Sequence, residues 1–504
     1  MSVPGPKIRR IVIVGGGTAG WMTAAALARA LSGQGAGARH EITLIESEAI
    51  GTVGVGEATV PPIHEFNRYL GLDPAELLQA TRGTIKLGIE FEGWGGAGQR
   101  YFHPFGYLGT EMGGIHFHHY WLRHLAAGGD PDHGPYNLPT MAAREGRFAP
   151  ATSAGPVHHA VHFDASAYAK VLRGLAEAKG AQRIEGKVAD VALRGDDGHI
   201  EAVTMEDGRR IAGDLFVDCS GFRGLLIEQA LETGYHEWSR WLPCDAAIAL
   251  PARRDTDPPP YTRSTACESG WRWRIPLQHR DGNGYVYSRA HLDDDAAEAA
   301  LRPHLPGEPL AEANRLRFTA GHRKVIWNRN CIAIGLAGGF IEPLESTSIH
   351  LIQTTVIRLL SLLPRDGIDP AVVARFNRDA VHEYETIRDF VIAHYATAGR
   401  RDTPFWRDVA AAGMPDNLRE RIEAFRATGN ILFEPGDLFG PTNWFCVLTG
   451  QGVRPESWHP IADGLTGEEL ASRFARLREA IAKQLAQLPP HARFLRESGA
   501  APGV

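Results

Sequence analysis

The sequence predicts an α/β fold: a Rossmann-like dinucleotide-binding core, a β-sheet region inserted into it, and a helical C-terminal region. Three observations predict it. Residues 11–14 (IVIV) are a β-branched run that reads as a buried strand, and residues 18–31, rich in Ala and Leu, favour a helix. Between them Gly15, Gly17 and Gly20 form G-x-G-x-x-G. A second strand over 41–45 ends in Glu46, and later segments continue as helix, hairpin-like strands, and a strand running into a glycine turn.

Each glycine of the first turn has its own task. Gly15 lets the chain turn off the strand, Gly17 lets a pyrophosphate approach the backbone, and Gly20 lets helix and strand pack closely. The helix start at Thr18 and Ala19 offers free N–H groups and the positive end of the helix dipole to phosphate. The carboxylate of Glu46 can accept hydrogen bonds from an adenosine ribose, and the Gly-rich stretch 32–39 accounts for its late arrival.

Composition removes other classes. A secretory signal or membrane anchor would fit Lys7, Arg9 and Arg10 before an apolar run, but three consecutive glycines and Arg29 interrupt that run. With 504 residues, 43% apolar and 22% charged, the chain has the make-up of a soluble protein of more than one domain. A net charge of −6 excludes the basic footprint of a nucleic-acid binder. The five cysteines (219, 244, 267, 331 and 446) form no C-x-x-C, which points to a reducing, cytoplasmic setting and no structural metal site. No other stretch is apolar enough to span a membrane.

In chain order, residues 51–60 (GTVGVGEATV) suit either a loop against a flat ring or a plain linker. Residues 84–94 alternate, with Ile85, Leu87, Ile89 and Phe91 on one face and Lys86, Gly88, Glu90 and Glu92 on the other, as in a strand with one polar face. Lys86 then reads as a solvated lysine; buried, it would be a reactive amine. Residues 103–106 and 115–121 are rich in His and aromatics, suited to packing or to stacking on an aromatic ligand, and carry no zinc-site spacing. Residues 128–156 read as a loop insertion and 164–178 as a helix. Strands follow at 185–193, 200–205 and from 215 into the turn ending at Gly224, a layout expected of FAD enzymes of the glutathione-reductase/hydroxylase type. Trp271 and Trp273 point the same way from a strand over 270–277; a turn at 281–284 and a strand at 285–288 follow. A strand over 332–334 and a turn over 335–339 precede a helix from about residue 349, with Ser346 or Thr347 as its N-cap. The N–H groups of Thr347 and Ser348 can then hold an anion such as halide. Beyond residue 366 the pattern is helical, broken at Asn443-Trp444-Phe445 and at Gly450-Gln451-Gly452.

Together these motifs resemble those of the flavin-dependent tryptophan-halogenase family over nearly the whole chain. The residues that carry the resemblance are G-G-G-T-A-G-W (15–21), I-K-L-G-I (85–89), D-C-S-G-F-R-G (218–224), W-R-W-R-I-P (271–276) and G-F-I-E-P-L-E-S-T (339–347). The first is common among flavoproteins; W-x-W-x-I-P together with P-L-E-S-T is specific to these halogenases.

The resemblance implies that FADH2 from a separate flavin reductase reacts with dioxygen to a flavin hydroperoxide, which halide, chloride or bromide, converts to hypohalous acid. The oxidant passes through a tunnel to Lys86, which presents it to the aromatic substrate while Glu345 takes up the ring proton. Cofactor contacts are expected at Gly15, Gly17, Thr18, Ala19, Gly20, Glu46, Val55, Gly56, Asp218, Gly335 and Leu336, and halide contacts at Thr347 and Ser348. His103, Phe105, Trp444 and Phe445 are expected to line the substrate pocket, and Trp271 and Trp273 to keep the substrate from the flavin. A region over 1–365, with the inserted sheet at about 236–310, would bind FAD and halide, and 366–504 would complete the substrate pocket. A homodimer is compatible with the resemblance.

Two departures bear on the substrate. Ser348 stands where family members often have Gly, and still offers its backbone N–H. No tyrosine follows Tyr395, although members acting on free tryptophan grip its amine and carboxylate with tyrosines from that region. The expected substrate is therefore an indole or other electron-rich aromatic, free or within a larger molecule. The rival of the same fold is a flavin-dependent aromatic monooxygenase.

Overall fold

The computed structural model describes residues 7–31, 40–50 and 56–500. They group into two compact units, each assembled from three stretches of chain. The first takes the described residues up to Thr81 together with Phe163–Ser239 and Phe318–Glu385; the second takes Arg82–His162, Arg240–Arg317 and the described residues from Thr386 onward.

The first unit is built on a six-stranded sheet in the order Gln182–Glu185, Glu41–Glu46, Arg10–Val14, Leu215–Asp218, Cys331–Ala333 and Trp327–Asn328, parallel except at the last pair. Ile11 to Val14 are buried on both faces, as a central parallel strand requires. The helix Thr18–Leu31 follows at once and buries most of its surface, packed by helices Ala165–Ala178 and Ser348–Ser361. Asp164 caps the former by accepting the Ala167 N–H at 3.0 Å. The strand expected over 185–193 is two strands. Gly186, at φ 139°, turns the chain out of the parallel sheet, and Val188–Leu193 pairs with Ile200–Met205 in a separate antiparallel sheet.

The second unit is built on a seven-stranded sheet in the order Asn314–Arg317, Ala246–Ala252, Asp281–Tyr287, Gly270–Pro276, Thr262–Cys267, Gly88–Glu92 and Arg100–Pro104. Its pairs are antiparallel except Thr262–Cys267 with Gly88–Glu92. Four expectations change here. The alternating stretch 84–94 splits at Leu87: Thr84–Lys86 pairs with Ala160–Asp164, while Gly88–Glu92 joins the large sheet. The polar face is not solvated at its start, because Lys86 and Gly88 are buried along with the apolar set. The expected turn at 281–284 is instead part of the strand Asp281–Tyr287. Its turn-like composition serves packing: a side chain on Gly284 would collide with the Trp273 indole, and buried Asp281 is neutralised by Arg254 and Arg274. The expected loop over 128–156 contains the helix Leu138–Arg144, capped by Asn137, and a short hairpin of Ala151–Thr152 with Gly155–Pro156.

The C-terminal region is helical, as its pattern indicates. The long helix Pro370–Ala396 gives its residues up to Glu385 to the first unit. Asn443-Trp444-Phe445 do not interrupt the helices; they lie inside helix Pro441–Gly450, where Asn443 Oδ1 accepts the Gly440 N–H at 2.9 Å and so stabilises the first turn. Among the described residues no helix is long and apolar enough to cross a membrane.

Candidate active site

In the first unit, the turn after strand Arg10–Val14 is a cradle made of backbone. A Cβ on Gly15 (φ 114°) would meet the Cys219 carbonyl, and one on Gly20 the Gly15 carbonyl. A Cβ on Gly17 would have no heavy atom within 4 Å, so the chain leaves open space in front of the helix N–H groups at Thr18 and Ala19. Gly16 has a role the sequence pattern does not announce, since any side chain there would overlap the Glu46 carboxylate. That carboxylate is held by Arg183 Nε at 2.5 Å and by Trp21 Nε1 at 3.3 Å. Gly335, at φ 72°, begins the turn that includes Leu336, and a Cβ there would lie 2.8 Å from that of Ala19.

Asp218 commits its carboxylate to three backbone N–H groups, of Ser220, Leu226 and Ile227, at 2.7–2.9 Å. It anchors the helical turn Leu225–Ala230 beside the cradle. Gly56 opens strand Gly56–Ala58, and Val55 lies outside the described residues. An open cradle at Gly17, free helix N–H groups and an acidic residue ending the second strand fit a dinucleotide such as FAD.

The same unit carries a second constellation. Pro343–Glu345 forms a tight helical turn, Ser346 adopts the left-handed region (φ 61°), and helix Ser348–Ser361 starts after Thr347. A non-glycine residue at this φ is locally costly, a kind of strain concentrated at functional sites. Thr347 takes the N-cap position but, contrary to expectation, its side chain makes no capping bond. Its Oγ1 is buried without a hydrogen-bond partner next to the helix N-terminus, an arrangement that suits an anion. Glu342 and Glu345 are both buried here.

The second unit carries Lys86. At 0% exposure it is not a surface lysine, and its Nζ lies 5.2 Å from the centre of the Phe105 ring. His103 Nε2 accepts from Asn443 Nδ2 at 2.9 Å, and its ring lies 5.5 Å from Phe390 and 6.2 Å from Phe439. Phe390 stacks on Phe439 at 3.8 Å and meets Trp444 edge-on at 4.8 Å, while Arg421 covers the Trp444 ring at 4.4 Å. His103 and Trp444 thus share one aromatic group.

Phe445 does not join them. One helix position rotates a side chain by about 100°, and Phe445 packs instead among His118, Trp121 and His133 at 5.2–5.5 Å. Burial pushes His118 down to about 3 and His133 down to about 4, so both are neutral packing residues near pH 7. Among the described residues no group of three His, Cys, Asp or Glu side chains is placed to hold a metal. Trp271 and Trp273 are buried on one face of their strand with ring centres 6.2 Å apart. Phe390 and Phe439 complete the aromatic group without a sequence signal, since each reads as an ordinary helix or loop residue, and Asn443, read from the sequence only as a break, holds His103.

A backbone cradle that fits a dinucleotide, a buried turn that suits an anion and a buried lysine beside an aromatic ring are in keeping with one class, the flavin-dependent oxidoreductases. The comparisons name the family within it. The family profile "Tryptophan halogenase" matches residues 10–466. The chain is 35% identical over 503 residues to tryptophan 6-halogenase SttH of Streptomyces toxytricini, covering 93% of this chain and 94% of that one. Its fold is similar to that of Xcc4156, a flavin-dependent halogenase from Xanthomonas campestris (TM-score 0.95, 47% identity, 99% of this chain and 100% of that one). It is also similar to BrvH, a flavin-dependent halogenase from Brevundimonas sp. BAL3 (TM-score 0.93, 44% identity, 99% and 100%). The chain belongs to the tryptophan halogenase family. It is a flavin-dependent halogenase that uses FAD as FADH2 and a halide, and the monooxygenase alternative is not favoured. Enzymes of this family draw on a separate flavin reductase and act on aromatic substrates.

Proposed function

We propose that this enzyme installs chlorine or bromine on an indole or another electron-rich aromatic, free or within a larger molecule, rather than on free tryptophan. The observation that carries the reading is Lys86, a fully buried amine beside the ring of Phe105. The absence of any tyrosine after Tyr395 supports the choice of substrate, since no phenol hydroxyl from that region is available to hold an amino-acid backbone.

Bound FADH2, with dioxygen, supplies the two-electron oxidation that turns halide into hypohalous acid. The Thr347 hydroxyl and the Ser348 N–H hold the halide; the buried, unpartnered Thr347 Oγ1 supports this role. Lys86 takes up the hypohalous acid, either as an ammonium donating a hydrogen bond to its oxygen and so polarising the O–X bond, or as an amine carrying the halogen. The aromatic carbon attacks the halogen as its bond to oxygen breaks, and the hydroxide leaves as water with a proton from the ammonium. Where water has already left in forming the haloamine, the N–X bond breaks instead and its electron pair returns to the Lys86 nitrogen. The Glu345 carboxylate accepts the proton that the ring then loses. A negative charge held in a dry site is worth more to a cationic ring than one in water. His103, Phe105 and Trp444 stack the substrate, while Trp271 and Trp273 bar it from the flavin. A reducing, cytoplasmic compartment is in keeping with the free thiols of all five cysteines.

The test is mass spectrometry of products from a panel of indoles and free tryptophan, with FAD, a reductase, NADH and each halide. Indoles should gain halogen and free tryptophan little. Lys86→Ala should make no halogenated product yet bind FAD and release hydrogen peroxide as before. Rapid turnover of free tryptophan would overturn the substrate assignment, and product from Lys86→Ala the role of the lysine.

A further inference from the structure

Strand Thr84–Lys86 pairs on one side with Ala160–Asp164, in the register Thr84 with His162, Ile85 with Val161 and Lys86 with Ala160. On its other side runs Pro258-Pro259-Pro260. The parallel ladder of the large sheet sets Ile89 beside Thr262. Carried back along both chains, that register sets Leu87 beside Pro260 and Ile85 beside Pro258. The first step is a backbone bond, Leu87 N–H to the Pro260 carbonyl at 2.7 Å.

The next step is closed by a side chain. The imidazole of His491, at the start of helix His491–Glu497, is inserted between the two backbones. Its Nε2 accepts the Ile85 N–H at 3.2 Å, and its Nδ1 donates to the Pro258 carbonyl at 2.8 Å. A ring that accepts at one nitrogen and donates at the other is neutral and in one tautomer. Burial, opposed by its bond to Pro258, holds His491 down to about 4.

His162 acts on the other flank. Its Nδ1 donates to Thr84 Oγ1 at 2.8 Å, the Thr84 hydroxyl donates to the Pro276 carbonyl at 2.6 Å, and its Nε2 accepts the Thr262 hydroxyl at 2.9 Å. The two residues before Lys86 are therefore fixed by imidazoles and the residue after it by a backbone bond.

We propose that His491 is a positioning residue for Lys86: spliced into the ladder at Ile85, its ring sets where the lysine presents halogen to the substrate. This rests on the reading of Lys86 as the halogen carrier. Without the ring, the Ile85 N–H and the Pro258 carbonyl lose their shared partner in a buried setting, and the strand must shift to find others.

The test compares His491→Gln with His491→Asn. Glutamine carries its amide oxygen out to the Nε2 position and still meets Ile85, whereas asparagine reaches only Pro258. Supplied with reductase, NADH, bromide and indole, the Asn variant should make about a hundredfold less brominated product per FADH2 oxidised, the scale of a small misplacement of a reacting group. Hypobromous acid caught by an external scavenger should stay at the wild-type level, and the Gln variant should recover most of the product. Without flavin, amide exchange in the peptide spanning 84–87 should quicken in the Asn variant alone. Equal product from the two variants, unchanged exchange in the Asn variant, or equal loss of hypobromous acid and product would overturn the proposal. Product from Lys86→Ala would overturn the reading beneath it; a normal Asn variant beside an inactive Lys86→Ala would remove only the role of His491.

Discussion

In the Rossmann unit Gly15, Gly16, Gly17 and Gly20 clear the space in which backbone N–H groups are offered, and few side chains intrude. In the large-sheet unit the proposed site is one of side chains, Lys86, His103, Phe105 and Trp444, all buried and held by strands and a helix. The two strategies fail differently. A backbone site is lost when a side chain is added; a side-chain site is lost when one is removed or when the strand beneath it moves.

After the lysine variant, the largest effect is expected at Gly17. Because a Cβ there meets nothing in the protein, Gly17→Ala should leave the melting temperature of the flavin-free enzyme unchanged. It should weaken FAD by about a hundredfold, or about 2.7 kcal/mol, in a fluorescence titration. Gly16→Ala should instead lower the melting temperature, since its Cβ meets Glu46. A Gly17→Ala protein with normal FAD affinity would break the contrast between the units.

Gly284→Ala is the counterpart in the second unit, because its methyl group would overlap the Trp273 indole. Overpacking should cost about 1–3 kcal/mol in denaturant unfolding and displace that tryptophan.

The buried imidazoles sharpen the comparison by pH. His118 and His133 are held by burial at about 3 and about 4, below the unfolded value near 6.5. Their contribution to stability is complete above pH 6.5 and is lost as the pH falls toward the folded values. Each should cost about 1.4 kcal/mol per pH unit below 6.5. Thermal melts between pH 7 and 5 should show the loss, and His133→Phe should lessen it by the share of one imidazole, leaving that of buried imidazoles such as His118 and His491.

The smallest effect is expected at Thr347→Val, which keeps the shape and removes the unpartnered hydroxyl. The halide KM should rise by about fivefold, the worth of one hydrogen bond of about 1 kcal/mol, with FAD affinity unchanged.

The same contrast governs how much was legible in the sequence. The parallel core and the open glycine turn could be read from IVIV and the glycines, because a backbone turn of this kind demands particular residues at fixed spacing. Lys86 could not be read as buried from its own neighbourhood. Alternation over 84–94 assigns it to the polar face, and the segments that flank its strand, Ala160–Asp164 and Pro258-Pro259-Pro260, are distant in sequence. The turn expected at 281–284 failed for a related reason: Gly284 is small to admit an indole from the next strand, not to bend the chain. Trp444 and Phe445 looked equivalent as neighbours, and the helix through them sends one to the His103 group and the other to a histidine cluster.

The imidazole that closes the ladder of strand Thr84–Lys86 is translated 406 residues after Ile85. A nascent chain can therefore shape its nucleotide cradle well before the last contact beside its lysine exists. The final setting of the proposed halogen carrier thus waits on a segment far along the chain from the strand that bears it.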